Sequence, residues 1–198
     1  MPAHAASQQV PVAAHVGRMV RSNGIDVLVQ AFAALRNRGV PLQLELYGRS
    51  DAENPEAVPS QSLTTWCDQA DAVWRGHVAD VAGIWRRTDI FVLAWRGGEG
   101  LPRALIEAAA CGRPLVVTDV PGDRDFVRYG VEGLLVPPDD PESLAEALAR
   151  LASEADLRWA MGLAARQRFL SGYTETHVQH AVLHTYRRLL GNAYVAAA

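Results

Sequence analysis

The sequence has little of several features that define special classes of protein. Its 198 residues include two cysteines, which excludes a disulfide framework and is typical of a reducing compartment. No apolar run approaches the roughly 18–20 residues of a membrane span, and the N-terminus lacks the layout of a signal peptide. A formal net charge of −3 leaves no basic excess, so no nucleic acid partner is expected. We therefore expect a cytoplasmic, globular protein.

Several sequence motifs of phosphate and acyl chemistry are absent as well. The chain has no G-x-x-x-x-G-K loop, no G-x-G-x-x-G turn and no G-x-S-x-G elbow. Apolar runs instead alternate with helical periodicity, which predicts an α/β three-layer sandwich with a Rossmann-like, doubly wound parallel sheet of about six strands. We expect this domain to span residues 10–192, with residues 1–9 as a disordered lead or cloning remnant and 193–198 as a tail.

The strongest pattern lies in residues 88–119, which read as strand, turn, helix and strand. The predicted elements are a buried strand at 89–94, a glycine-rich turn at 96–100, a helix from Pro102 through Cys111, and a buried strand at 114–118. Proline suits a first helical position because its missing N–H has no partner there. Cys111 is expected in the core. A turn that leads into a helix N-terminus presents free N–H groups, which suit a phosphate.

Two carboxylates lie on this unit, Glu99 in the turn and Glu107 within the helix. Glu107 lies about 7–8 Å along the axis from Pro102, from a rise of ~1.5 Å per residue. With phosphate at the helix N-terminus, this spacing fits a sugar diphosphate, with the hexose toward Glu99 and the ribose toward Glu107. The alternative is that Glu99 is solvated and Glu107 caps or pairs locally.

Residues 99–119, EGLPRALIEAAACGRPLVVTD, resemble the E-x₇-E motif and following strand of glycosyltransferase family 4, the retaining GT-B enzymes that use nucleotide sugars. The resemblance continues, in the family's order, through segments 13–24, 44–48 (LELYG), 74–80 (WRGHVAD) and 120–138 (VPGDRDFVRYGVEGLLVPP). It covers the C-terminal, nucleotide-binding half of such an enzyme.

The resemblance implies a role for each site residue. Glu99 is the catalytic residue and orients the hexose, and Glu107 accepts hydrogen bonds from the ribose. The diphosphate is held by Gly17 and Arg18 after the first strand and by the helix N-terminus, at Gly100, Leu101, Pro102 and Arg103. The backbone near Trp74 reads the base, and Arg75 contacts phosphate or base. No metal or other cofactor is implied, because the helix dipole and arginine take the place of a cation.

The sequence departs from the family at Asn23, which stands where the family has a lysine paired with Arg18. An amide donates a hydrogen bond but cannot neutralise a diphosphate. Arg21 would substitute if its loop bends toward the site. The departure keeps open a second hypothesis, a non-catalytic module that binds nucleotide diphosphates. A third is another GT-B enzyme, such as a sugar-nucleotide 2-epimerase.

Two further patterns resemble metal sites. Asp123-Arg124-Asp125 is formally the D-x-D motif of a different glycosyltransferase fold, but a helix N-terminus explains both acids. His177, His180 and His184 share one face of the last predicted helix with no carboxylate or cysteine cluster beside them. We expect no metal at either place.

The resemblance implies the donor-binding half of a retaining glycosyltransferase that transfers a hexosyl unit from a nucleotide diphosphate sugar to a saccharide or lipid-linked acceptor. Cell-envelope polysaccharide or lipopolysaccharide assembly is the common setting. Because GT-B enzymes work between two domains, this chain alone is expected to be inactive. Its partners would be the nucleotide-sugar donor and an N-terminal acceptor domain or partner subunit. Only the acceptor domain would bring the protein to the inner face of the membrane.

Overall fold

The computed structural model describes residues 10–97 and 100–190. Six short strands form a single sheet, and their bounds are β1 Val12–Val16, β2 Gln43–Tyr47, β3 Val73–Gly76, β4 Ile90–Leu93, β5 Leu115–Thr118 and β6 Gly133–Val136. Every residue of β4 and β5 is buried. Strands that are apolar throughout are those covered on both faces of a parallel sheet, which is what the apolar runs predict.

All neighbouring strands pair in parallel, in the order β3-β2-β1-β4-β5-β6. The order runs outward from β1 in one direction and from β4 in the other. This is the doubly wound arrangement, and it confirms the predicted three-layer α/β fold with six parallel strands.

Eight helices and one short 3₁₀ turn connect and cover the strands of the described chain. The 3₁₀ turn is Arg21–Asn23, and the helices are α1 Ile25–Asn37, α2 Ser60–Ala70, α3 Val81–Arg87, α4 Arg103–Ala110, α5 Asp123–Phe126, α6 Pro141–Ser153, α7 Ala155–Gly172 and α8 Glu175–Leu190. Local signals explain their starts. The carboxylate of Asp140 accepts a 2.9 Å hydrogen bond from the N–H of Ser143, with Pro141 at the first position of α6.

Two apolar clusters, one on each face of the sheet, form the core. The first joins α1, α2 and α6 to the sheet through side chains such as Phe32 and Leu148. The second joins α3 and α4, with part of α7, through Trp85, Phe91 and Leu105. The helices therefore hold the ends of the strands at fixed positions, which matters because loops at those ends carry the predicted site residues.

Two expectations near α4 were wrong in detail. The helix begins at Arg103, and Pro102 is its N-cap with φ −64° and ψ 133°, so proline precedes the first turn. Cys111 is exposed. The buried stripe of α4 consists of Leu105, Ala108 and Ala109, and Cys111 lies off that stripe.

The side chains of α8 that the structure describes are all exposed, including Val182 and Tyr186. No helix in residues 10–97 and 100–190 is both long enough and apolar enough to cross a membrane. The predicted lead at residues 1–9 and the tail at 193–198 lie outside the described residues.

Candidate functional site

The strand order reverses between β1 and β4, which are direct neighbours in the sheet. In open α/β sheets, ligands bind outside the carboxyl ends of the strands at such a reversal. Gly17 and Arg18 follow β1, and the glycine-rich turn and α4 follow β4. The two segments that the sequence assigns to diphosphate binding therefore lie at the same edge of the sheet, and we call the space between them the crevice.

The loop after β1 runs alongside the loop after β2. The N–H of Gly17 donates to the carbonyl oxygen of Tyr47 at 2.9 Å, and the N–H of Met19 donates to that of Arg49 at 3.0 Å. Gly48 has φ +148°, and a Cβ there would lie 1.7 Å from the carbonyl oxygen of Gly17. Only glycine permits this approach, so the parallel pairing of β1 and β2 continues beyond the strands.

Asn23 takes part in the local structure of the loop after β1. Its side-chain amide donates a 2.7 Å hydrogen bond to the carbonyl oxygen of Arg18. A Cβ added to Gly17 would lie 3.3 Å from the same amide nitrogen, so the Asn23 side chain lies close beside Gly17. Asn23 thus ties the ends of its own loop together.

The start of α4 lies at the other border of the crevice. Gly100 is exposed, and Leu101 packs partly buried against the second apolar cluster. Pro102 and Arg103 then form the N-cap and the first helical residue, with Arg103 93% exposed. Their position leaves the free backbone N–H groups of the first turn at the carboxyl edge of the sheet.

Of the two predicted acids, Glu99 lies outside the described residues. Glu107 lies on α4 with 27% of its side chain exposed, and it accepts a 2.7 Å hydrogen bond from Nε of Arg103. This pair, four residues apart on one helix, is the local pairing that the sequence left as the alternative to ribose binding. The exposed arginine is free to release the carboxylate at small cost, since such pairs contribute about 0.3–0.5 kcal/mol.

Arg75, which the resemblance assigns to phosphate or base, pairs with Glu45 on the neighbouring strand. Its Nη2 lies 2.6 Å from the carboxylate of Glu45, which also accepts a hydrogen bond from the hydroxyl of Tyr47. Burial alone would raise the pKa of Glu45, but the bonds from Tyr47 and Arg75 outweigh it and lower that pKa. Burial and the Glu45 carboxylate raise the pKa of Tyr47 to about 12. Arg75 thus holds a buried acid in place.

A cavity of about 330 Å³ opens between the ends of β1, β2 and β3 and the helix α3. Its lining residues are apolar or basic: Val16, Gly17, Arg18, Tyr47, Gly48, Arg49, His77, Val78, Val81 and Ile84. Neither Tyr47 nor Arg49 was named from the sequence as a site residue, although the resemblance implies that the loop beginning at Arg49 borders the nucleotide site. The sequence does carry a signal for both, because a glycine and then a basic residue stand at the carboxyl end of each of the first three strands, at 17–18, 48–49 and 76–77.

Arg96, which the sequence placed only in the turn, connects three segments at the edge of the crevice. Its Nη1 and Nη2 lie 3.1 and 2.9 Å from the carboxylate of Asp26, and its Nε lies 2.6 Å from Asp139. It also donates to the carbonyl oxygen of Arg21. These bonds fix the start of the glycine-rich turn against α1 and the loop before α6.

The two D-x-D carboxylates differ in environment. Asp125 accepts a 3.2 Å hydrogen bond from the N–H of Gly122 at the start of α5. Asp123 is fully buried, and burial raises its pKa to about 7. The side chains of His177, His180 and His184 are exposed on α8. Within the described ranges, no three His, Cys, Asp or Glu side chains are grouped as a metal site.

The fold is a doubly wound α/β sheet, and comparison with known proteins identifies the family of the chain. Residues 10–154 match the model for glycosyl transferases group 1, and the chain belongs to this family. The capsular polysaccharide biosynthesis glycosyltransferase CapM of Staphylococcus aureus is 29% identical over 157 residues, which is 79% of this chain and 40% of CapM. The chain spans between 15% and 46% of the length of the curated relatives it matches.

Solved structures show the same fold. Sucrose-phosphate synthase from Thermosynechococcus elongatus superposes with a TM-score of 0.83 at 25% identity, over 93% of this chain and 47% of that one. HepE from Anabaena, in complex with UDP-glucose, gives a TM-score of 0.80 at 19% identity over 89% of this chain and 48% of its own. In both cases the matching region is about half of the solved chain.

Proposed function

We propose that this chain is the donor-binding half of a retaining glycosyltransferase, which transfers a hexosyl unit from a nucleotide diphosphate sugar to a saccharide or lipid-linked acceptor. The observation that carries the proposal is the crevice at the reversal of strand order. Gly17 and Arg18 border it on one side, and the N-terminus of α4 borders it on the other. Family membership supports the same reading.

In the proposed mechanism, fixed positive groups stabilise the negative charge that develops on the leaving diphosphate. Backbone N–H groups at Leu101–Ala104 and the guanidinium of Arg18 stabilise it without a metal ion. Glu107 exchanges its bond to Arg103 for bonds to the ribose hydroxyls. Glu99 orients the hexose so that its anomeric carbon faces the acceptor.

The other half of the reaction requires a second domain. The chain spans less than half of its relatives, and both solved structures extend well beyond the matching region. An acceptor domain or partner subunit would close over the crevice and bring the acceptor hydroxyl to the donor. Without it, the chain binds the donor and transfers nothing. We place the complete protein in the cytoplasm, at the inner face of the membrane through its acceptor domain, in assembly of envelope polysaccharide or lipopolysaccharide.

Calorimetry of the 198-residue chain with UDP-, GDP- and ADP-sugars tests donor binding. We expect one of the three bases to bind with a dissociation constant below 1 mM, an affinity that corresponds to about −4 kcal/mol. Replacing Arg18 with Gln should weaken that binding. No heat with any donor at millimolar concentration would contradict the proposal.

A non-catalytic module that binds nucleotide diphosphates is the second candidate, and Asn23 is the observation that favours it. The family's lysine would place a cation at a site that here holds a neutral amide bonded to Arg18. Product analysis with the acceptor domain present separates the two candidates, because only the transferase forms a glycoside.

A further inference from the structure

A diphosphate carries more charge than Arg18 can neutralise, and the usual second cation is missing. The sequence contains 19 arginines and no lysine. A compensating charge must therefore come from an arginine that reaches the crevice. The need for this second charge rests on the proposed function, because it concerns the same diphosphate ligand.

The pairing of β1 and β2 brings two arginines side by side. Val16 is the register partner of Tyr47, and the hydrogen bonds of Gly17 and Met19 continue that ladder beyond the strands. Arg18 is therefore opposite Arg49 in the extended ladder. Side chains two residues apart share a face of a sheet. Val16, Arg18, Tyr47 and Arg49 accordingly line one cavity.

The lining of this cavity suits an anion. It includes Arg18, Arg49 and His77 but no carboxylate. In residues 10–97 and 100–190, the guanidinium of Arg49 forms no ion pair or side-chain hydrogen bond. Tyr47, the backbone of two glycines, and valine and isoleucine side chains form the rest of the wall, so no lining group carries a negative charge that would compete for the two arginines.

The other arginines near the crevice are less suited. Arg21 lines a different cavity, together with the acids Asp26 and Glu56. Arg96 is bound to two carboxylates, and Arg103 is bound to Glu107. An arginine that already neutralises an acid adds little net charge to a ligand site.

We propose that Arg49 supplies the second positive charge of the diphosphate site, in place of the family's lysine, and binds the phosphate oxygens together with Arg18. Arg49 is in this sense a binding and specificity residue for nucleoside diphosphates. The extended ladder between the loops after β1 and β2 sets the spacing of the two guanidinium groups.

The test measures binding of UDP, GDP and ADP, of the matching nucleosides, and of inorganic pyrophosphate to the 198-residue chain. Arg49→Gln should weaken binding of the preferred diphosphate about tenfold, as expected for loss of a charged hydrogen bond. The nucleoside should bind as before. Arg49→Lys should recover part of the loss, and the salt dependence of binding should decrease in Arg49→Gln because one exposed charge is removed. Arg188→Gln, at the exposed end of α8, controls for net charge.

Three results would overturn the proposal. One is an Arg49→Gln variant that binds the diphosphate as wild type does. Another is an equal loss for nucleoside and diphosphate, which would place Arg49 at the base. The third is a larger loss in Arg21→Gln than in Arg49→Gln, which would move the second charge to the other cavity. If the wild-type chain binds no diphosphate at all, the proposed function fails first, so the two failures are distinguishable.

Discussion

The side-chain amide of Asn23 lies 2.7 Å from the carbonyl oxygen of Arg18 and donates a hydrogen bond to it. Arg18 lines the cavity beside the crevice, so a neutral residue stabilises the loop that carries the proposed phosphate-binding cation. Asn23 therefore has a structural role in this loop. Loop stability and positive charge are separate contributions to diphosphate binding, and substitutions of Asn23 distinguish them.

Asn23→Lys should raise the affinity for the nucleotide diphosphate several-fold, because an added ammonium group gains Coulomb energy with the phosphates. The variant also loses the bond to Arg18, which costs about 1 kcal/mol of stability. Asn23→Met is the matched control, since it loses the same bond and adds no charge. Calorimetry and thermal unfolding of both variants measure the two effects, and an unchanged affinity in Asn23→Lys would remove the charge argument.

Glu107→Ala tests whether this carboxylate contacts ribose. It should weaken binding of the nucleoside diphosphate about tenfold, in line with a lost charged hydrogen bond, and leave inorganic pyrophosphate unaffected. Arg103→Ala breaks the same ion pair but keeps the carboxylate, so it should not change the ratio of the two affinities. If both ligands bind Glu107→Ala as they bind wild type, Glu107 serves only its local pair.

Local patterns were sufficient to predict the sheet but not every side-chain partner. The apolar runs at β4 and β5 are buried on both faces, and such runs are readable from sequence alone. The partner of Arg75 could not be predicted in this way, because Glu45 is 30 residues away on another strand. Only the register of β2 with β3 brings them together, and no local pattern encodes that register.

Only some of the site residues were predicted from the sequence. Gly17, Arg18 and the start of α4 lie where the sequence placed them, at the carboxyl edge of the sheet. Arg49 was not named as a site residue although it follows a strand and a glycine as Arg18 does, because its position beside Arg18 depends on the continued ladder between two loops. Whether the site residues act as predicted stays a prediction that the binding experiments address.

Arg96→Lys should lower the free energy of unfolding by about 1–3 kcal/mol. Lysine keeps the charge but cannot bind the carboxylate of Asp26 through two nitrogens while also reaching Asp139 and the carbonyl oxygen of Arg21. Denaturant unfolding measures the loss. Arg86→Lys is the matched control, because Arg86 makes one exposed pair with Asp80, so its variant should stay within about 0.5 kcal/mol of wild type. Equal effects in the two variants would contradict a special role for Arg96.

Asp123→Asn should remove a decrease in stability that the wild type shows as pH rises from about 4 to about 7. Burial raises the pKa of Asp123 from 3.8 to about 7, so in this range the folded state keeps a proton that the unfolded state releases. Stability then falls with rising pH, by up to about 1.4 kcal/mol per unit. Asparagine cannot titrate, so the variant should gain stability relative to wild type between pH 5 and pH 8.

Burial lowers the pKa of His15 to about 4, which gives the opposite slope of stability against pH between about pH 4 and 6.5. Both proteins share this contribution, so it cancels in the difference between their stabilities. Denaturant unfolding at pH 5, 6, 7 and 8 measures that difference, and parallel curves for the two proteins would show that the Asp123 carboxylate titrates normally.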